Sequence, residues 1–122
     1  MALGQLSCES RPIPLGQQGD VRGDYAFGTL TVQFDRDVTV MAVLSAAENA
    51  LVRRGFTVTN RFGAEDRGRV VGRYPSAAGG EAAEIWVQGD LQGPTMQVKV
   101  GMVGELGASR DLANDILILL GR

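Results

Sequence analysis

Apolar and polar residues alternate through most of the chain, and the period changes three times. From Tyr25 to Phe34, Ala26, Gly28, Leu30, Val32 and Phe34 share one side and Thr29, Thr31 and Gln33 the other. This period of two predicts a half-buried strand. Val40, Val43, Leu44, Ala47, Ala50 and Leu51 then recur at helical spacing, predicting a helix over 38–54. Asp37 is its expected N-cap, and Gly55 its stop, because glycine takes the left-handed conformation cheaply. Alternation returns in Phe56–Phe62, with Phe56, Val58 and Phe62 inward and Thr57, Thr59 and Arg61 outward. Arg69–Tyr74 is the expected return strand after a turn over Gly63–Gly68. Pro75–Glu81 reads as a mobile small-residue tip. Glu84–Leu91 follows, with Ile85, Val87 and Leu91 inward and Glu84, Trp86, Gln88 and Asp90 outward. Gln92-Gly93-Pro94 predicts a hairpin turn, and Thr95–Met102 gives the clearest alternation of all. A second apolar stripe, Leu112, Ala113, Ile116, Leu117 and Leu120, predicts a helix over 108–120.

The expected fold is α+β, a single domain in the order β-α-β-β-β-β-α. A five-stranded antiparallel sheet carries both helices on one face, because each strand has one apolar side. Residues 1–24 fit neither period and contain Pro12, Pro14, Gly16, Gly19 and Gly23. They read as a flexible leader to a domain over 25–122.

Composition narrows the chemistry. The 122 residues carry 12 basic and 14 acidic side chains, a net charge of −2, so no basic excess points to nucleic acid. No histidine is present, which removes Ser-His-Asp and Cys-His catalysis and any His-ligated metal. A single cysteine removes an internal disulfide and a thiolate cluster. Carboxylates remain, but Glu84 and Asp90 are too widely spaced along one strand to act together, and Glu65-Asp66 sits in a turn. Nothing converges on a catalytic site, and no metal or cofactor is expected. No apolar run is long enough to cross a bilayer, and no signal-like leader precedes Cys8.

The ordered motifs of residues 25–120 resemble a domain-of-unknown-function family of small bacterial envelope lipoproteins. They are Tyr25-x-x-Gly28-x-Leu30, Ala47-x-x-Ala50-Leu51-x-x-x-Gly55, Gly68-Arg69-Val70-Val71-Gly72-Arg73, Val100-Gly101-x-x-Gly104-Glu105 and Ser109-Arg110-x-Leu112. Leu106 stands where the family's second acidic residue falls. The resemblance implies an envelope or periplasmic location and a lipidated cysteine a short way before the tyrosine. Cys8 fits that place, and its alternative is an unpaired thiol. The strand order also resembles helix-grip, TATA-binding-protein-like domains, a likeness of fold that carries no function.

The most informative surface is the predicted polar sheet face. Trp86 stands there with Gln88, and neighbouring strands add Arg61, Arg69, Arg73, Gln97 and Lys99. Arg and Trp dominate binding energy at interfaces, so this face is a candidate recognition platform for an unidentified protein or envelope component. Its alternative is a tryptophan covered by Arg and Lys stems. Self-association through that face, or through Ile118 and Leu119 on the last helix, is the second reading, with a homodimer as its product. Ser109 and Arg110 are expected to cap and tether the last helix, with Glu105 as partner; anion binding at the helix start is the alternative. Gly101-x-x-Gly104 lacks the Gly-Lys-Ser/Thr ending of a phosphate loop and reads as a tight turn. Arg22-Gly23-Asp24 spells an adhesion tripeptide, a match common by chance.

Overall fold

The computed structural model describes residues 11–74, 81–101 and 105–122. It contains β1 (Arg11–Leu15), β2 (Val21–Ala26), β3 (Thr29–Gln33), α1 (Val40–Arg53), β4 (Thr57–Gly63), β5 (Arg67–Tyr74), β6 (Glu81–Gln88), β7 (Thr95–Val100) and α2 (Leu106–Leu119). All strands pair antiparallel in one sheet of order β1-β2-β3-β7-β6-β5-β4. The chain is α+β, but the five-stranded helix-grip expectation is corrected to seven strands.

Two local causes account for the difference. Residues 11–24, expected to be a flexible leader, contain β1 and most of β2. Pro12 and Pro14 are tolerated because β1 is an edge strand, where a missing outward N–H breaks no ladder bond. Ile13 and Leu15 alternate inward and are buried. Gly23, opposite Ile13, leaves the space that the ends of Leu15 and Leu30 fill. The loop after β1 is tied down as well. The Gly16 N–H donates to Asn114 Oδ1 at 2.8 Å and the Gln17 N–H to the Arg122 carbonyl at 3.1 Å. The second cause lies in the 25–34 run, which is two strands rather than one. Ala26 pairs with Thr29 across a two-residue loop in which Phe27 (φ 53°) and Gly28 (φ 78°) are both left-handed. That geometry matches the twist of the flanking strands.

α1 packs over β4, β5 and β6, α2 over β7, β3 and β1, and the helices pack on each other. Arg54 after α1 reaches Asp115 of α2. The N-cap of α1 is Thr39, whose Oγ1 accepts from the Ala42 N–H at 3.1 Å, and not Asp37, which pairs with Arg122 at 2.8 Å. Gly55 (φ 90°) closes the other end, with the Phe56 N–H on the Leu51 carbonyl at 2.9 Å and the Gly55 N–H on the Val52 carbonyl at 3.0 Å.

β4 departs from its predicted faces. Val58 pairs with Gly72, but Asn60 pairs with Val71, so a bulge intervenes. One extra residue exchanges the two sides of everything after it. Arg61 therefore points to the helix side, where its Nε donates to Glu48 Oε1 at 2.8 Å. Phe62, expected inward, stands on the outer face, 51% exposed. Leu91, also expected inward, lies beyond β6 and is exposed.

Candidate functional site

The sheet face away from the helices holds a shallow open concavity of about 750 Å³. Strand register explains which side chains meet there. Phe62 of β4 lies opposite Arg69 of β5, Arg69 opposite Trp86 of β6, Trp86 opposite Gln97 of β7, and Gln97 opposite Thr31 of β3. These residues form one row across five strands. Neighbours in such a row stand close enough for their side chains to touch. A second row runs Arg67, Gln88, Thr95, Gln33, and a third runs Val71, Glu84, Lys99.

Arg69 is the hub. Its guanidinium lies 5.5 Å from the centroid of the Trp86 ring, within cation–π range, and one of its terminal nitrogens donates to Glu84 Oε2. Its Nε is buried without an acceptor among the described residues. Trp86 is half-buried. The rim is held by the Thr95 hydroxyl donating to Gln33 Oε1 at 2.8 Å, while Gln33 Nε2 donates to the Gly93 carbonyl at 3.0 Å. Asp90 accepts from the Gln92 N–H at 2.8 Å, which keeps its carboxylate in the turn.

Trp86, Arg69, Gln88, Gln97 and Lys99 therefore meet as expected from their alternation. Arg73 shares the face but lies outside the concavity, opposite Thr57 and Ala82, and Arg61 is removed from it by the bulge. Two contributors escaped the sequence pattern. Arg67 has the parity of Arg69 but falls in the turn that the pattern predicts, and Phe62 falls on the side opposite to its predicted one. The register shift that would have found Phe62 leaves no local mark in the sequence.

The other candidates are scattered. Tyr25 is half-buried in β2, opposite Arg11 and Leu30. Gly101 is left-handed (φ 84°), and its N–H donates to the Ala82 carbonyl at 2.8 Å. Ser109 is fully buried within α2, and its Oγ has no partner among the described residues, so it is not a cap. The N-cap position belongs to Glu105, which makes no side-chain capping bond. Arg110 is exposed, and no ion pair joins it to Glu105 among the described residues. Arg22, Gly23 and Asp24 lie within β2, with Arg22 and Asp24 3.5 Å apart. Ile118 is exposed on α2 and Leu119 half-buried. Cys8, Gly104 and the 75–80 tip lie outside the described residues.

Among the described residues, no three carboxylates or thiols gather as a metal site. No helix among them is long and apolar enough to cross a membrane. The concavity brings together two aromatic rings on either side of Arg69, two further cations and the side-chain amides of Gln88 and Gln97. No family model matches the chain, and no curated protein sequence matches it.

Proposed function

We propose that this protein is a non-enzymatic binding module that presents the outer sheet face around Trp86 to a partner in the bacterial cell envelope. The observation that carries the reading is the Phe62–Arg69–Trp86–Gln97 row, which lines an open concavity with aromatic and cationic groups of the kind enriched at binding hot spots. Both helices cover the opposite side of the sheet, and no described element packs over this one. Envelope placement and anchoring through a lipidated Cys8 rest on the motif resemblance alone.

The test compares wild type with Trp86→Thr in thermal denaturation and in capture from a bacterial envelope extract. Loss of capture with unchanged stability supports a binding residue. A destabilisation of about 3–5 kcal/mol, the scale of a core aromatic, overturns the reading in favour of a structural tryptophan. A second reading, self-assembly through the same face, is favoured by the exposure of Phe62 beside Arg69. Sedimentation separates the two. A dimer in which Trp86 is shielded from a soluble quencher supports assembly, and a monomer with Trp86 accessible supports the binding module.

A further inference from the structure

The charge inventory of the concavity is one-sided. Arg67, Arg69 and Lys99 line it, against the single carboxylate of Asp90, which already accepts from the Gln92 N–H. Glu84, beside the concavity, is held by Arg69. Arg67 and Lys99 take part in no ion pair among the described residues. Trp86 adds an indole N–H, which donates and cannot accept. The site is thus locally cationic on a chain whose net charge is −2. Its Gln and Thr side chains both donate and accept, so the asymmetry is one of charge, and the ligand that complements two cations without an ion-pair partner among the described residues is acidic.

The arrangement also has a direction. Arg67 lies level with Gln88 and Thr95, and Lys99 lies four residues further along the strand of Thr95. Trp86 occupies the strand between them, two residues along from Gln88. At the usual strand spacing and rise, Arg67 and Lys99 are roughly 16 Å apart with Trp86 midway on the diagonal. An extended peptide rising about 3.3 Å per residue covers about 13 Å in about four residues, side-chain reach closes the rest, and residues four apart point to the same side as the one midway between them.

We propose that the concavity binds an extended acidic peptide. Carboxylates about four residues apart, on the same side of the peptide, engage Arg67 and Lys99, and an apolar side chain midway between them lies against Trp86. The inference rests on the reading of this face as a binding surface. One observation favours a peptide over a polynucleotide: the net negative charge of the chain repels a long polyanion while leaving the local cations available to a short acidic segment.

Trp86 fluorescence of the full chain, its only tryptophan, provides the test. The probes are a Glu-containing peptide of about ten residues with two Glu about four residues apart and a Leu midway between them, its Gln and Lys analogues, and a single-stranded oligonucleotide of similar length. The expected result is saturable binding of the Glu peptide alone, weakening as salt rises from about 50 to 500 mM. Arg67→Gln and Lys99→Gln should each weaken it about tenfold, the scale of one charge-assisted hydrogen bond. The exposed side chain of Arg67 makes that substitution a mild one for folding, which its melting curve checks. Equal or tighter binding of the Gln or Lys peptide overturns the acidic specificity while keeping the face as a binding surface. Preference for the oligonucleotide overturns the peptide. A Glu peptide that leaves Trp86 fluorescence unchanged also overturns the inference. The binding-module reading falls separately, if Trp86→Thr is destabilised on the scale of a core aromatic or captures as much from the envelope extract as wild type does.

Discussion

Gly68→Ala probes how the sheet that carries the site is locked to α1. Gly68 pairs with Gly63 across β4 and β5, and the end of Leu44 from α1 fills the space above that pair. A Cβ on Gly68 would lie 2.2 Å from Leu44 Cδ1, 2.9 Å from its Cδ2 and 2.8 Å from the Phe62 carbonyl oxygen. Carbon atoms rest at about 3.5–4.0 Å, so Leu44 must retreat by more than roughly 1 Å. It has little room, being fully buried, and the carbonyl belongs to a paired strand. Overpacking of this kind costs about 1–3 kcal/mol, and the reduced freedom of the unfolded chain returns about 0.4–1 kcal/mol. The expected net loss is about 1–2 kcal/mol, a fall in Tm of roughly 3–10 °C in thermal denaturation. Leu44→Ala alone should cost about 2–5 kcal/mol through its cavity. The added methyl at position 68 partly fills that cavity, so the double variant should lose less than the sum by about 0.5–3 kcal/mol. An unchanged or raised Tm for Gly68→Ala, or strict additivity in the double variant, would refute the knob-in-hole account.

Four further substitutions test other parts of the structure by the same denaturation assay. Thr39→Ala should cost about 1 kcal/mol by removing the cap on the Ala42 N–H, whereas Asp37→Ala, which loses only a surface pair with Arg122, should stay within about 1 kcal/mol of wild type. The reverse ranking would restore Asp37 as the cap. Gly55→Ala should cost about 1–2 kcal/mol, because φ is 90° and the new Cβ would lie 2.9 Å from Tyr74 Cε1; a neutral result would contradict the left-handed closure of α1. Ser109→Ala should be neutral or stabilising, since it removes a buried hydroxyl without a partner among the described residues, and a loss above about 1 kcal/mol would reveal a hydrogen bond there.

The elements that were legible in the chain are those whose cause is local. The stripe from Val40 to Leu51 has only one way to bury itself, and Gly55 ends the helix by a property of its own backbone. The outward parity of Trp86, Gln97 and Lys99 follows from alternation within single strands, and these three were placed together correctly. Phe27 hid the first hairpin, because an aromatic residue at positive φ is uncommon and the turn lacks the usual Asn-Gly or Asp-Gly signal. Pro12 and Pro14 hid β1, because a proline argues against a strand unless that strand is known to be an edge.

By itself, then, the amino-acid sequence determined the two amphipathic helices, most of the strand alternation, and the polar character of one sheet face. Each follows from the periodicity of a single segment and the need to bury its apolar side. Only the tertiary structure decided that Arg61 joins Glu48 on the helix side while Phe62 joins Arg69 and Trp86. A single bulged residue reverses a strand's faces without altering its composition. Whether Arg69 meets Trp86 and Glu84 depends on the register between strands that pair over many intervening residues, and register is a property of the assembled sheet.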